Sequence, residues 1–380
     1  MIALITALGW IAAALTICGI GYTIVAGIAT VLFLRRAKRA VRDLPAVTVI
    51  KPLHGAHDGL RESLERFCDQ DYPGEVQIVF GVHDARDPAI SVVRALQAAH
   101  PLMDIDLVID ARLYGSNRKA SNLINISTRA KHEILILSDS DIIVDRRYLR
   151  TVVSALAEPG VGAVSCLYVG RSDGSLWSRL SAMAIDYQFL PSAVVGKALG
   201  LAQPCFGSTI AIRAGVLAKI GGFAAFADHL ADDYEIGRAV RAQGYRIAIP
   251  PMVVSHICPE SNPNELLLHE LRWGRTVRQI DPPGYAGSLI THPLPLALLS
   301  TMLLGFAPSS VGLLFFVLAL RISLKFCVDA STGARAGAWW LIPPRDVLSF
   351  AVFLASFAVN TVGWQGRRFR VNRDGVLSHT

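Results

Sequence analysis

The stretch ILILSDSD, residues 134–141, decides how the chain folds. Its apolar run ends at Leu137 and predicts a buried strand of a mostly parallel sheet. Asp139 and Asp141 follow, separated by one serine. A carboxylate beside a hydrophobic core is costly unless a cation or strong hydrogen bonds compensate it. The stretch therefore predicts a divalent metal at the end of a strand, with the metal carrying a nucleotide diphosphate.

Similar apolar runs precede this one, and amphipathic segments separate them. Strands are predicted at 47–53, 76–84, 104–110 and 133–141, with crossover helices at 60–70, 89–100 and 119–130. This alternation is typical of an α/β domain, which we assign to residues 45–285. Ligands of such sheets bind beyond the carboxyl ends of the strands, where Asp84, Asp139 and Asp141 fall.

The second half of this domain is expected to add strands at 162–168 and 208–213 and helices at 176–190 and 233–243. Two segments, 176–200 and 265–280, are apolar but have the spacing of surface helices. Helices that pack on the domain and helices that lie on a membrane surface both fit this pattern.

The N-terminal segment predicts a membrane anchor. Hydrophobic residues make up 52% of the 380 residues, which is too many for a purely soluble protein. Residues 2–34 carry no charge, and about 20 apolar residues cross a bilayer core. A secretory signal would have a shorter apolar core after a basic start. We therefore predict an anchor at 1–34, and the basic linker at 35–44 predicts that the following domain lies in the cytoplasm.

A second apolar region, 286–366, is expected to hold two or three membrane segments. Residues 292–326 fit either a hairpin of two short spans or one long broken span. Residues 345–364 fit a further span, and 339–344 fit an interfacial or re-entrant segment. The basic tail at 367–380 is typical of a cytoplasmic segment, but three crossings would place it outside, so the number of spans stays open.

Composition and missing motifs exclude several classes of protein. Most of the net charge of +7 lies in the basic linker, so nucleic acid is not an expected partner. The six cysteines form no C-x-x-C pair, which argues against zinc and suits core-filling thiols in a reducing compartment. The sequence lacks a P-loop, G-x-G-x-x-G, G-x-S-x-G and H-E-x-x-H, which removes most nucleotide hydrolases, dinucleotide enzymes, α/β-hydrolases and zinc proteases.

Charged residues elsewhere in the first half suit a nucleotide. Asp84 ends the second predicted strand, where a carboxylate accepts hydrogen bonds from a nucleoside. Lys119 follows Arg118 at a predicted helix start and suits a phosphate by charge and by position. Helix capping and solvation explain the same residues, and Asp87 before Pro88 fits a helix cap.

Two motifs in the second half complete the candidate site. Asp232 and Asp233 begin a helix, where they compensate its dipole, or Asp233 faces the cleft and takes a proton from an attacking hydroxyl. The motif HELRW places His269, Arg272 and Trp273 on neighbouring helix faces. Arg272 would brace a leaving diphosphate and Trp273 would stack on a sugar. An interfacial helix with snorkelling cations is the alternative.

Five features follow one another along the chain: the anchor, Asp84, DSD at 139–141, DDY at 232–234 and HELRW at 269–273. In this order they resemble the inverting GT-A glycosyltransferases of the ceramide glucosyltransferase-like group. The likeness extends to IKPLHG at 50–55, FGSTIAIRAGVL at 206–217 and GWQGRRFRV at 363–371. It implies a Rossmann-like GT-A catalytic domain in the cytoplasm with transmembrane helices at both ends. The family usually has Gln or Arg where His269 stands, so the sequence departs from the family's pattern at this position.

The resemblance also implies a site and a reaction. Asp139 and Asp141 would hold Mg²⁺ or Mn²⁺, and Asp233 would be the catalytic base. The implied donor-binding residues are Asp84, Lys119, Asp139, His269, Arg272 and Trp273. A single displacement on a UDP-sugar would invert the anomeric carbon. A lipid acceptor would reach the site from the bilayer, which implies the bacterial inner membrane with the catalytic domain facing the cytoplasm.

Residues 269–278 and 291–299 are most similar to the hopanoid branch of the group. This similarity implies transfer of N-acetylglucosamine from its UDP form to a hopanoid such as bacteriohopanetetrol. A ceramide glucosyltransferase that uses UDP-glucose is the alternative. A processive polysaccharide synthase would need more spans, and a non-catalytic lipid-binding protein would not need every acidic position intact.

Overall fold

A computed structural model describes residues 1–36 and 44–358, together with the backbone of three short strands between 361 and 379. Most of the basic linker at 35–44 lies outside the described residues. The same is true of the side chains in the predicted tail at 367–380.

The described helices are α1 Ile2–Leu34, α2 Leu60–Cys68, α3 Ala89–Ala99, α4 Arg118–Ser127, α5 Tyr148–Leu156, α6 Leu176–Ala184, α7 Leu190–Ala198, α8 Ala214–Lys219, α9 Asp232–Ala242, α10 Pro263–Ile280, α11 Pro282–Gly287, α12 Pro293–Leu303, α13 Pro308–Thr332 and α14 Ile342–Ala358. The described strands are β1 Val47–Pro52, β2 Val76–Val82, β3 Asp104–Ile109, β4 Ile134–Leu137, β5 Ile142–Ile143, β6 Val161–Ser165, β7 Leu167–Ser172, β8 Ile210–Arg213, β9 Arg246–Ala248, β10 Val253–Cys258, β11 Thr361–Trp364, β12 Arg367–Val371 and β13 Leu377–His379.

These elements fall into two compact units. The sheet unit contains Arg36–Tyr168, Gln203–Pro259 and Phe369–Thr380. The helical unit contains Met1–Arg35, Val169–Ala202 and Glu260–Arg368.

The sheet unit is built on seven strands in the order β3-β2-β1-β4-β8-β6-β9. Strands β1 to β4 are parallel, and β8 runs antiparallel to both β4 and β6. The β1 and β4 residues are buried, which is why their sequences are nearly continuous apolar runs. The core includes Ile50, Leu135, Leu137, Ile210 and Ile212. The predicted α/β class is confirmed.

The strand order places the candidate site at a switch point of the sheet. Strands β3, β2 and β1 follow one another in one direction, and β4 lies on the other side of β1. Crevices at such switch points, beyond the carboxyl ends of the strands, are where open α/β sheets bind ligands. Ile50 of β1 is paired with Leu137 of β4, so the residues after these two positions share one edge.

Two predicted strands differ from the structure. The strand predicted at 133–141 ends at Leu137, so both aspartates of the DSD stretch lie in a loop rather than on the strand. The strand predicted at 162–168 is two strands that break at Cys166. The Ser208 hydroxyl donates to the Cys166 carbonyl, so a side chain replaces a ladder partner at the break. The six cysteines are free, and Cys166, Cys205 and Cys258 fill the core as expected, whereas Cys18 is exposed.

In the helical unit, three described helices are long and apolar enough to cross a membrane: Ile2–Leu34, Pro308–Thr332 and Trp339–Ala358. The described residues 282–303 form two helical pieces that meet at 66°, and they count as a fourth if both pieces belong to one broken span. The apolar region at 292–326 is interrupted as expected, because α12 ends at Leu303 and α13 begins at Pro308.

The span predicted at 345–364 is wrong at both ends. Helix α14 begins at Ile342, directly after a 3₁₀ turn at Trp339–Leu341, and it ends at Ala358. The backbone then forms strand β11 rather than further helix. The β-branched pair Thr361 and Val362 favours a strand, and Gly363 weakens a helix at the same place.

The apolar segments at 176–200 and 265–280 are packed helices of the helical unit. The first contains α6, a π-helical turn at Ile185–Phe189, and α7. It meets α1 through a 2.7 Å hydrogen bond between the Tyr22 and Ser192 hydroxyls. The second is α10, which is joined to α14 by Glu270 and Arg345.

Helix α1 packs through a stripe of small residues. The buried positions include Gly9, Ala12, Thr16, Gly19 and Thr23. A Cβ atom on Gly19 would lie 2.7 Å from the Ile290 carbonyl oxygen, so only glycine permits this approach. Small residues let helix backbones approach closely, which is the main source of packing energy in an apolar solvent.

Buried ion pairs also join the helices of this unit. The Arg321 guanidinium makes two 2.7 Å hydrogen bonds to Asp346, and both side chains are buried. Arg345 binds Glu270 in the same bidentate way. Ionised groups inside apolar helices are costly when they are single, so each pair fixes how two helices meet.

We expect Asp346→Ala to destabilise the protein by about 3–5 kcal/mol, because it leaves the Arg321 guanidinium buried without its carboxylate. Thermal unfolding of the detergent-purified protein measures this loss. The double variant Arg321→Leu with Asp346→Leu should recover most of it, and Asp104→Ala in an exposed pair should change little. Equal losses in the single and double variants would contradict the explanation.

Candidate active site

A buried lysine of β1 contacts the backbone of the DSD loop. Lys51 is fully buried, and its Nζ donates to the Asp139 carbonyl oxygen at 2.8 Å and lies 3.4 Å from the Ser138 hydroxyl. The same ammonium lies 3.8 Å from the centre of the Phe67 ring, which supplies a cation–π contact. The position of the Asp139 backbone is therefore fixed by a side chain from the neighbouring strand.

Helix α4 brings a second lysine to the same loop. Asn117 caps this helix by accepting a 2.9 Å hydrogen bond from the Ala120 backbone amide. Lys119 follows in the first turn, and its Nζ lies 2.6 Å from Asp139 Oδ1 and 3.9 Å from Asp232 Oδ2. The predicted start of this helix at Arg118 and Lys119 is confirmed, and its lysine is paired with carboxylates.

Helix α9 supplies the other two acids. Asp233 Oδ2 accepts from the Gly207 amide at 2.8 Å, and its Oδ1 accepts from the Tyr234 amide at 2.8 Å. A Cβ atom on Gly207 would lie 2.9 Å from Asp139 Oδ2, 3.0 Å from Lys119 Nζ and 3.4 Å from Asp233 Oδ2. Gly207 therefore marks the point where the DSD loop, α4 and α9 converge.

Strand β10 holds Asp141 in the loop. The Ile257 amide donates to the Asp141 carbonyl oxygen at 2.9 Å, and His256 Nε2 lies 3.4 Å from Asp141 Oδ2. Asp141 Oδ1 is buried and has no hydrogen-bond partner among the described residues. Asp232 Oδ2 is also buried without a hydrogen bond there, although Lys119 is near it.

The cluster perturbs the protonation of its members. Burial raises the pKa of Asp139, against the lowering effect of Lys119, and the Asp141 carboxylate raises it further. Burial alone would lower the pKa of Lys119, but Asp139, Asp232 and Asp233 raise it well above its usual range. Lys119 is therefore a permanent cation at neutral pH.

Two further groups titrate nearer to neutrality. Burial and the neighbouring Asp232 carboxylate raise the pKa of Asp233 to about 6, in spite of Lys119 and two backbone hydrogen bonds. Burial lowers the pKa of Lys51 to about 7, although Asp141 and Asp139 act in the opposite direction. A carboxylate with such a pKa is well suited to take up a proton at cellular pH.

The donor set fits a metal that arrives with a phosphate. Asp141 presents a buried oxygen without a hydrogen bond, and Asp139 lies two residues away in the same loop. Among the described residues, no group of three or more His, Cys, Asp or Glu side chains forms a metal site. Magnesium commonly uses one or two carboxylates and takes its remaining ligands from water and substrate phosphates.

Asp84 lies in the sheet unit two residues beyond the end of β2, and its contacts differ from those of the cluster. The carboxylate accepts from the Arg86 amide at 2.8 Å and pairs with the Arg86 guanidinium at 3.2 Å. This pairing lowers the pKa of Asp84, which is exposed. The predicted cap at Asp87 is confirmed, because its carboxylate accepts from the Ala89 amide and also from Gly55.

The HELRW motif belongs to the helical unit and lies on α10. His269 Nδ1 contacts Glu260 Oε1, and the His269 ring lies edge-on to Trp273 with centroids 4.5 Å apart. Burial alone would raise the pKa of Glu260, but His269 lowers it below its usual value. His269 thus fixes the orientation of Trp273 from one turn away. Thr276 donates to the Arg272 carbonyl oxygen.

Three residues of the cluster were not among the predicted site residues: Lys51, Gly207 and His256. A lysine inside the apolar run VTVIKP was a signal for Lys51, because a buried lysine needs a partner. Gly207 lies in the segment 206–217 that carries the family resemblance, but neither this segment nor the surroundings of His256 in the sequence indicated a role in the cluster. Their importance follows from the convergence of distant segments.

A sheet with carboxylates beyond its switch point, in a chain with long apolar helices toward both ends, defines a membrane-associated glycosyltransferase of the GT-A type. Residues 11–377 match the family described as Glycosyl transferase family 21, and the chain belongs to this family.

Similar proteins support the same class. Ceramide glucosyltransferase 1 of Caenorhabditis elegans is 22% identical over 350 residues, which cover 88% of this chain and 73% of the relative. An N-acetylglucosaminyltransferase of Rhizobium meliloti (strain 1021) is 23% identical over 311 residues, which cover 79% of this chain and 69% of the relative.

Among solved structures, a mannosyltransferase from Pyrobaculum calidifontis in complex with GDP-Man and Mn²⁺ has a similar fold. Its TM-score is 0.53 at 24% identity, and the match covers 92% of this chain and 98% of that chain. The predicted GT-A fold class and the prediction of a glycosyltransferase are both confirmed.

We expect Gly207→Ala to lower sugar transfer by about tenfold or more, because the added methyl would push Asp139 and Lys119 apart and misplace groups that must be aligned. Steady-state transfer rates measure this effect. Gly215→Ala in α8 is a matched control, since its Cβ would meet nothing within 4 Å. If both variants keep wild-type rates and melting temperatures, Gly207 does not border the reacting groups.

Proposed function

We propose that the protein transfers a single sugar from a UDP-sugar to the hydroxyl of a membrane lipid, with inversion at the anomeric carbon. The convergence of Asp233, Lys119 and Asp139 at Gly207 is the observation that carries this proposal. It brings a carboxylate that can accept a proton next to a cation that can hold a phosphate. The apolar helices support a lipid acceptor, because they would keep the enzyme beside its substrate.

In this proposal, Asp139 and Asp141 hold Mg²⁺ or Mn²⁺, which, when bound, neutralises charge on the departing diphosphate. Lys119 is close enough to Asp139 to share its ammonium with a phosphate oxygen. Lys51 keeps the DSD loop in place through the Asp139 carbonyl. Asp84 is proposed to bind the nucleoside. Its carboxylate, which pairs with the exposed Arg86, would release that arginine and bind the donor instead.

Asp233 is the proposed general base. The Gly207 and Tyr234 amides fix both of its oxygens, and its pKa of about 6 leaves it ionised at neutral pH but basic enough to accept a proton. Arg272 and Trp273 are proposed to brace the diphosphate and stack on the sugar. His269 acts with them by orienting the Trp273 ring.

We further propose that the sugar is N-acetylglucosamine and that the acceptor is a hopanoid such as bacteriohopanetetrol. Residues 269–278 and 291–299 support this through their resemblance to the hopanoid branch. A ceramide acceptor with UDP-glucose is the second candidate, which the named relative from Caenorhabditis elegans favours. The basic linker supports a catalytic domain on the cytoplasmic side of a bacterial inner membrane.

Incubating the purified protein in lipid vesicles with radiolabelled UDP-sugars tests the acceptor. A singly glycosylated hopanoid supports the proposal, and a glucosylated ceramide supports the second candidate. A polymer would indicate a polysaccharide synthase instead. Absence of labelled product with either lipid would refute both assignments.

Asp233→Asn is expected to reduce turnover by about 10²–10⁴-fold, because the amide keeps the shape but cannot accept the proton. The melting temperature should stay near that of the wild type. Glu235→Gln is the matched control, since this acid lies in the same first turn but pairs with Arg238 at the surface. Near wild-type turnover in Asp233→Asn would remove Asp233 from the role of base.

The pH profile of kcat/KM provides a separate check. A base works when it is deprotonated, so the rate should rise with pH up to about 6, the pKa of Asp233, and then level off. The rising limb should be absent from the residual activity of Asp233→Asn. A wild-type profile that is flat from pH 4.5 to 7 would be inconsistent with a base that titrates at about 6.

A further inference from the structure

Two loops of the sheet unit are joined where α4 and α9 begin. The Asn117 backbone amide donates to the Ala227 carbonyl oxygen at 2.7 Å, and the Ser116 amide donates to Asp228 Oδ1 at 2.8 Å. A Cβ atom on Gly115 would lie 2.5 Å from the Ala227 carbonyl oxygen. The loop at 114–117 therefore packs directly on the loop at 226–229.

The side chain of Asn117 completes this junction. Its Nδ2 donates to the His229 carbonyl oxygen at 2.8 Å, while its Oδ1 accepts from the Ala120 amide at 2.9 Å. The residue is fully buried. One amide therefore caps α4 and at the same time binds the loop that leads into α9.

The junction lies two residues before Lys119 and three residues before Asp232. These are the residues whose ammonium and carboxylate lie 3.9 Å apart in the acidic cluster. Both helices start at the junction, so a shift of one loop against the other would move Lys119 relative to Asp232 and Asp233. Ion pairs are weakly directional, whereas an amide hydrogen bond restricts both distance and angle.

We propose that Asn117 is a positioning residue that sets the placement of Lys119 against the acids of α9. The inference rests on the proposed function in one respect, because its kinetic test measures sugar transfer. Capping alone does not require asparagine, because serine, threonine and aspartate accept the same hydrogen bond from the helix. Of the Asn117 side-chain atoms, Nδ2 is the one that donates to the second loop, so capping and positioning can be separated by substitution.

The experiment compares Asn117→Ser with the wild type. Serine keeps an oxygen for the cap but has no amide to donate to the His229 carbonyl. We expect kcat/KM for the sugar donor to fall about tenfold, as for a small misplacement of a charged group. Hydrogen exchange at residues 227–231 should become faster in the same variant, whatever its activity.

A double-mutant cycle with Lys119→Met decides whether Asn117 acts through the lysine. If it does, Asn117→Ser should change UDP affinity and kcat/KM by no more than about twofold once Lys119 is absent, as expected for residues that work as one unit. The same tenfold fall in both backgrounds would overturn the proposal.

Asn125→Ser is the matched control for lost stability. Asn125 is a buried asparagine of the same helix, and its amide donates to the Asp110 and Arg112 carbonyl oxygens, far in sequence from the 226–229 loop. An equal kinetic loss in Asn125→Ser would mean that Asn117 is merely structural. If Asn117→Ser does not fold, Asn117→Asp keeps the cap and removes the same donor.

The outcomes also separate this inference from the proposed function. If the wild-type enzyme transfers no sugar, the proposed function is refuted. Hydrogen exchange at residues 227–231 would still test whether the Asn117 side chain holds the junction. Unchanged exchange at 227–231 in Asn117→Ser would refute the inference even if transfer is normal in the wild type.

Discussion

The contact between the Lys119 ammonium and the Asp139 carboxylate is the interaction on which the candidate site depends. Four carboxylates lie close together at the carboxyl edge of the sheet, and burial raises the pKa of Asp139 and Asp233 among them. One permanent cation makes this arrangement tolerable, and Lys51 contributes a second that is only partly charged near neutral pH. The remaining excess of negative charge is the physical reason that we propose a divalent ion there.

The helical unit applies the same physics in an apolar setting. Its helices gain little from the hydrophobic effect in lipid, so close backbone contact and satisfied polar groups must hold them together. The small-residue stripe of α1 provides the close backbone contact. The pairs Arg321–Asp346 and Arg345–Glu270 provide the satisfied polar groups. Glu270 lies inside the HELRW motif. Within this motif, Glu270 therefore joins α10 to α14 through Arg345, while His269 and Trp273 contact each other on a neighbouring face of the helix.

Local patterns in the sequence were enough to predict the four parallel strands, helix starts within one residue of those at Arg118 and Asp232, and the apolar helices. They did not predict the features that depend on contacts between segments far apart in the sequence. The DSD stretch reads as strand, but Lys51 and β10 bind its backbone and pull it into a loop. Charge-free composition marked residues 2–34 as an anchor, but periodicity alone did not reveal the small-residue face, because glycine and alanine count as apolar in any pattern.

Directional hydrogen bonds, together with the Lys119–Asp139 contact, set the geometry of the cluster. Backbone amides of Gly207 and Ile257 and the amide of Asn117 each fix a different segment of the chain. Charges alone would let the lysines and acids collapse into the tightest pairs, which would leave no oxygen for a substrate. Asp141 keeps one buried oxygen without a hydrogen bond among the described residues, while the Ile257 amide of β10 holds its backbone. Neutral hydrogen bonds thus help to set the positions of these acids, and the proposed reaction depends on those positions.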